Sequence, residues 1–325
     1  MAGHYRFIMN GKPTGLTPSR IDRFEPGFEM KKIAFLGLGN MGGPMAQNLL
    51  RADYPMKVFD IDRDKIRVHL DLGADEAGSA PEAVQDADFV MTSLPGPAEL
   101  ESLVLGENNI LNSMKKGSVW IDLSTNNLDV ERKIRKLADN QKIHTLDAPV
   151  TGGTEAAESG NLCVLVGGEE KIFHECREIF EVIGKDIKYL GDHGAGYVAK
   201  IAQVILCYLH SVALSEAMML GVKGGLKPEM MLDIIQKSTG RSYVSDRYGP
   251  PILSGSYDPG FALGLAHKDM KLSMELAQSL DAELPMCEMV EDLYKRAVEK
   301  YGFDQNHLMA VKLLEEANQT FLRGS

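Results

Sequence analysis

Cysteine is scarce in this chain of 325 residues: there are four, Cys163, Cys176, Cys207 and Cys287, far apart and without a C-x-x-C pair. That spacing excludes a disulfide framework or a zinc site and fits reduced thiols in a cytoplasmic protein. Histidine is unclustered: His144, His174, His193, His210, His267 and His307 show no ligand spacing, so no metal is expected. Basic charge is also short. Lys and Arg number 35 against 46 Asp and Glu, and the net charge of −11 repels a phosphate backbone, which excludes nucleic acid as the natural partner. No clean membrane span is present. The longest apolar stretch, Ile201 to Val222, is broken by Gln203, His210 and Glu216 and follows Lys200, so a soluble protein is expected.

What remains, at 44% hydrophobic and 25% charged residues, is a globular composition of a length that suits two domains. Met1 to Phe28 has no apolar periodicity, and residues 1–30 are read as a flexible extension. Arg6, Lys12 and Arg20 without an acid in the first 21 residues leave an organellar presequence as the alternative.

From Ile33 to about Leu190, short apolar runs alternate with amphipathic segments, the mark of parallel strands joined by crossover helices. The class is α/β. Strands are expected at Ile33 to Leu36, Lys57 to Asp60, Phe89 to Leu94, Val119 to Leu123, Ile143 to Leu146 and Leu162 to Val166. After Gly194 the pattern turns helical. Ala199, Ala202, Leu206, Leu209, Ala213 and Ala217 recur every three or four residues along one helix of about 194–221. Further helices are expected from Pro228, Lys268, Pro285 and His307, with Gly249 to Gly260 as a loop. This divides the chain into residues 31–193 and an all-helical 194–325. The methionines Met218, Met219, Met230, Met231 and Met289 are read as core filling.

Gly37-Leu38-Gly39-Asn40-Met41-Gly42 follows the first strand directly and opens an amphipathic helix. Strand, turn and helix in that order fit the dinucleotide fingerprint of a Rossmann domain. Gly37 serves the tight turn, Gly39 the approach of a pyrophosphate and Gly42 the packing of the helix, whose N-terminal amides face the diphosphate. Asp60 ends the next strand, eighteen residues past Gly42, where a carboxylate accepts both ribose hydroxyls and repels a 2′-phosphate. NAD is the expected cofactor. Arg63, three residues on, keeps NADP as the alternative.

The run Phe35 to Ala46, with its Gly37 to Met45 core, resembles the signature of the 3-hydroxyisobutyrate dehydrogenase (β-hydroxyacid dehydrogenase) family. Four further blocks come in that family's order: Leu94-Pro95-Gly96-Pro97, Asp122-Leu123-Ser124-Thr125, Asp147-Ala148-Pro149-Val150-Thr151-Gly152-Gly153, and Gly194-Ala195-Gly196 with Lys200; Phe261 and Lys268-Asp269 complete the set. The resemblance implies a Rossmann domain, a long interdomain helix and an all-helical C-terminal domain, with the active site in the cleft between them. By position, Leu94, Pro95, Thr125 and Lys268 look like cofactor contacts, Thr151-Gly152-Gly153 like the substrate loop and Lys200 like the catalytic lysine. The implied reaction interconverts a small β-hydroxyacid and its semialdehyde, of 3-hydroxyisobutyrate, tartronate semialdehyde or succinic semialdehyde type. A homodimer or homotetramer through the helical domain is implied as well.

The chemistry suits those residue types. Hydride removal from a carbinol leaves a proton to be taken from oxygen, and a lysine stripped of water loses enough basicity to do so near neutrality. Helical spacing puts Gln203, Val204 and Cys207 on the side of Lys200. Thr151-Gly152-Gly153 offers a hydroxyl and unobstructed amides to a carboxylate.

Four positions depart from the family pattern. Gln203 and Val204 stand where two asparagines are usual, Thr151 replaces serine, and Glu155 replaces glycine, adding an acid near the substrate unless a cation pairs with it. Gln203 is the expected substitute for the lost amide. Arg241, Ser242 and Tyr243 either read the distal end of the substrate or form a helix-capping loop. The alternatives to a dehydrogenase are a redox-inactive NAD(P)-binding or scaffold protein, and an imine reductase-like enzyme, a group that generally lacks this lysine.

Overall fold

A computed structural model of the chain describes residues 30–106, 109–258 and 260–324, so the expected extension lies outside the described residues apart from Met30. Among the described residues, nine strands form the sheet: β1 (Ile33–Leu36), β2 (Met56–Phe59), β3 (Asp75–Glu76), β4 (Phe89–Thr92), β5 (Val119–Asp122), β6 (His144–Asp147), β7 (Val150–Thr151), β8 (Leu162–Gly168) and β9 (Gly184–Tyr189). Their order is β3-β2-β1-β4-β5-β6-β8-β7, with β9 also on β8. The first six are parallel and reproduce the doubly wound order, reversing between β1 and β4, which opens a ligand crevice at their C-terminal ends. β8 runs antiparallel to β6 and β7, which departs from the all-parallel expectation.

Strand burial explains the apolar runs. Ile33, Phe35, Met91 and Ile121 face one core, packed by helices Gly42–Arg51 and Glu170–Ile183. Ala34, Leu36, Val90 and Trp120 face the other, under helices Pro97–Leu105 and Leu128–Gln141. Both faces are covered, so polar alternation is lost.

Beyond β9 the chain is helical: the linking helix Ala195–Lys223, then Pro228–Gln236, Tyr243–Arg247, Gly249–Ser254, Leu263–Ser279, Pro285–Tyr301 and Met309–Asn318. Two expectations need correction. Gly249 to Gly260 begins with a helix rather than a loop, since Pro250 and Pro251 fall in the first turn, where a missing N–H costs nothing. The helix expected from Lys268 starts at Leu263, because Leu263 and Ala266 bury the same face as Met270.

The linking helix is apolar nearly all round. It buries Ile201, Tyr208, Leu214, Met218 and Met219, whereas Ala202, Leu206, Ala213 and Ala217 of the periodic stripe are exposed, Leu206 by 49%. The stripe is therefore not the core face. By length and hydropathy, 1.6 over its most apolar window, this helix is capable of crossing a membrane, but its other face is a core face of this fold. Met218 and Met219 fill the core as expected, while Met230 and Met289 are exposed.

His307 lies fully buried among Tyr208, Tyr248, Phe261 and Tyr294, with Nδ1 3.3 Å from the Tyr294 hydroxyl. Burial pushes its pKa from 6.5 down to about 3, with the Asp269 carboxylate opposing. Between those values the unfolded chain takes up a proton that the native chain refuses. The stabilising contribution is intact above pH 6.5 and is lost as the pH falls toward 3. A His307→Gln variant should therefore lose stability less steeply than the parent between pH 6.5 and 4, by up to about 1.4 kcal/mol per pH unit, in urea titrations. Parallel slopes would show that His307 titrates normally.

Candidate active site

The glycine turn is shaped by sterics. Gly37 has φ 91°, and a Cβ there would strike the Ser93 carbonyl oxygen; a Cβ on Gly42 would overlap the Gly37 carbonyl oxygen. A Cβ on Gly39 would meet no protein atom within 4 Å, which marks a free cradle above the turn. Leu38 is buried, Asn40 is exposed, and Met41 stands at the N-terminus of helix Gly42–Arg51. Asp60 follows β2. Its Oδ2 accepts the Leu38 amide at 2.6 Å and its Oδ1 accepts the Asp62 amide at 2.8 Å, so the carboxylate is fixed beside the turn with lone pairs to spare. Arg63 Nε lies 3.8 Å from Glu76 Oε1, a pair open to solvent.

Leu94 and Pro95 follow β4 across the crevice. The Leu94 amide donates to Ser124 Oγ at 2.9 Å, which ties this loop to the half-buried Thr125. Lys268 Nζ donates to the Pro95 carbonyl at 2.9 Å, joining the loop after β4 to the helical part.

Lys200 sits in the second turn of the linking helix. Burial lowers its pKa below the ordinary 10.5; the Lys268 charge lowers it further, and the carboxylate of Asp269 opposes both. The Cys163 and Cys207 thiols also lie close enough to couple electrostatically to it. Cys163 is the cross-strand partner of Thr151, so β8 brings the expected substrate loop to the region of the lysine. Gly152 and Gly153 have φ of 135° and 76°, a left-handed run that leaves both residues exposed. Gln203 is exposed and Val204 half-buried, one turn past Lys200.

Several contributors carried no role in the sequence reading. Asp147 caps the linking helix: its carboxylate accepts the amides of Gly194 at 2.7 Å, Gly196 at 2.8 Å and Tyr197 at 3.3 Å. Burial raises its pKa to about 7, against these amides, which favour the charged form. Gly167 and Gly196 leave the room, since a Cβ on either would come 2.7 Å from Asp147 Oδ2. Asp122, the register neighbour of Asp147, accepts the Tyr197 hydroxyl at 2.5 Å and Thr92 Oγ1 at 2.8 Å. The helix bearing Lys200 is thus anchored to two adjacent strand ends. Asp269 accepts the Tyr208 hydroxyl at 2.7 Å, and its Oδ1 lies 3.0 Å from Lys268 Nζ without hydrogen-bond alignment. The DAPV and KD blocks held these acids in view, but their partners are distant in sequence.

At 241–243 the structure shows a helix cap. Ser242 and Ser245 form a reciprocal capping box, and Arg241 pairs with Asp246. Glu155, the acid that departs from the pattern, does find a cation: Oε1 lies 2.7 Å from Arg247 Nη2.

A doubly wound sheet with a glycine turn at its switch point, an acid after β2 and a helical domain behind defines an NAD(P)-binding oxidoreductase. Comparison with known proteins agrees. Residues 32–191 match the NAD-binding domain of 6-phosphogluconate dehydrogenase, and residues 194–314 match the NAD-binding domain of NADP-dependent 3-hydroxyisobutyrate dehydrogenase. The chain is 38% identical to 2-(hydroxymethyl)glutarate dehydrogenase of Eubacterium barkeri, over 81% of this chain and 88% of that protein. It is 36% identical to NAD-dependent L-serine dehydrogenase of Pseudomonas aeruginosa, over 89% and 99% respectively. Among solved structures, 3-hydroxyisobutyrate dehydrogenase of Mycobacterium tuberculosis with L-serine superposes with a TM-score of 0.80 at 30% identity, covering 88% of this chain and 99% of that one. The chain belongs to the 3-hydroxyisobutyrate dehydrogenase family, the NAD(P)-dependent β-hydroxyacid dehydrogenases.

Proposed function

We propose that this enzyme interconverts a small β-hydroxyacid and its semialdehyde with NAD, with Lys200 as the general acid and base. The observation that carries the reading is the placement of Lys200 in the second turn of the helix that Asp147 anchors to the sheet, where burial disfavours its charged form. The nicotinamide, when bound, supplies the hydride acceptor or donor. Gly37 to Gly42 and Asp60 would hold the diphosphate and the ribose, with Leu94, Pro95, Thr125 and Lys268 along the rest of the cofactor; the free cradle over Gly39 fits that use. Thr151, Gly152 and Gly153 would hold the substrate carboxylate, with Gln203 beside them. The neutral Lys200 amine takes the carbinol proton during oxidation and returns it to the carbonyl oxygen during reduction.

Relatives named for hydroxymethylglutarate, serine and hydroxyisobutyrate leave the acid itself to experiment. The bare stripe along the linking helix supports a homodimer or homotetramer through the helical part, residues 194–325 in the division adopted for the domains. Free cysteines support a cytoplasmic setting.

The test is a panel of β-hydroxyacids and semialdehydes followed at the nicotinamide absorbance band with each cofactor. NAD should be preferred at least tenfold in kcat/KM, because a 2′-phosphate meets the fixed carboxylate of Asp60. A preference for NADP would refute this use of Asp60, and inactivity across the panel would refute the reaction.

A further inference from the structure

Beside the candidate site stands a charged pair that the proposed reaction does not use. Glu155 lies in the first turn of helix Gly153–Glu158, directly after the substrate loop. Arg247 ends helix Tyr243–Arg247, which packs on the linking helix. The next residue, Tyr248, receives the Cys207 thiol at 3.5 Å, and Cys207 couples electrostatically to Lys200. The 2.7 Å contact between Glu155 Oε1 and Arg247 Nη2 therefore joins the helix after the 151–153 loop to a helix packed on the one that bears Lys200.

The two partners differ in exposure. The Glu155 side chain is 74% exposed and that of Arg247 41%. A carboxylate this open loses little by swinging into water, and such a pair adds little stability. The guanidinium has more to lose, being partly desolvated and shaped for a planar carboxylate. Glu155 shows that a carboxylate seats on Arg247 at hydrogen-bond distance. A ligand carboxylate of the same geometry is able to replace it, releasing Glu155 to solvent.

We propose that Arg247 is a distal carboxylate subsite, with Glu155 as its exchangeable occupant, so that the enzyme favours β-hydroxyacids carrying a second carboxylate. This rests on the proposed function for the first carboxylate, which the loop at 151–153 takes. Exchange keeps the charge balanced: the diacid brings one negative charge to Arg247 as Glu155 departs. A monoacid leaves the pair closed and gains nothing from it.

Binding separates this inference from the reaction. Calorimetric titration of the NAD-saturated chain with succinate, glutarate, adipate and butyrate gives the ratio of best-diacid to butyrate affinity without turnover. Glu155→Gln should raise that ratio at least threefold by removing the competitor, and Arg247→Met should lower it at least tenfold. A ratio within twofold of the parent in Arg247→Met, or a fall in Glu155→Gln, would overturn the subsite, the latter by showing that Glu155 is a strap the site requires. Diacid preference with no turnover of any hydroxyacid would instead refute the proposed reaction and leave the subsite standing.

Discussion

Replacing Lys200 with alanine should lower kcat by roughly 10²–10⁴-fold, the usual range for a positioned acid or base, while calorimetry still detects NAD binding. The size follows from what the side chain is asked to do. Without it, the carbinol proton must leave to water, a far weaker base than a neutral amine. NAD binding should persist because the glycine turn, Asp60 and the loop after β4 are held by bonds that do not involve Lys200. Near-normal turnover in the variant would remove the lysine from the chemistry. Loss of NAD binding along with turnover would mean that the substitution damaged the crevice as a whole.

Asp147→Ala should cost about 2–4 kcal/mol of unfolding free energy, read as a shifted urea midpoint, and should also lower kcat. The loss is large for one short side chain because three amides at the start of the linking helix share its carboxylate. Deletion leaves those donors buried beside Gly167 and Gly196, whose missing side chains were the accommodation for the acid. Asp147→Asn keeps one oxygen acceptor and should cost less. Activity should follow stability here, since the same cap fixes the helix on which Lys200 rides. If the alanine variant proves as stable as the parent, the helix is held by Tyr197 and its bond to Asp122 alone.

Much of the molecule could be read from its residues because the relevant physics is local. The strands after Ile33 show as apolar runs since both sheet faces are covered, and the glycine turn shows because strand, turn and helix are contiguous. The strands missed were of two kinds. β3 and β7 have two residues each, too few to establish a period, and β9 carries Lys185, Asp186 and Lys188 on an outer strand, which masks its apolar content. The direction of β8 was hidden as well, because an apolar run looks the same in either orientation.

The linking helix was legible as a helix, but its stripe of Ala202, Leu206, Ala213 and Ala217 proved to be the bare side. Periodicity locates an apolar face without saying what covers it. In the site, the glycine turn is one contiguous block, whereas Asp147 with Gly194 and Glu155 with Arg247 are joined across 47 and 92 residues. No local pattern couples positions so far apart. Glu155 was nonetheless recognisable as an acid in need of a cation, and that electrostatic demand was the one sequence-level signal for Arg247.

The central claim is that the Lys200 amine, made less basic by burial, moves the carbinol proton. Single-turnover hydride transfer measured against pH in both directions tests it most directly. Oxidation needs the neutral amine and reduction the ammonium, so the oxidation rate should rise with pH and the reduction rate should fall, each with a midpoint below 10.5. Rates that ignore pH across that range, or that move in the same direction, would contradict it.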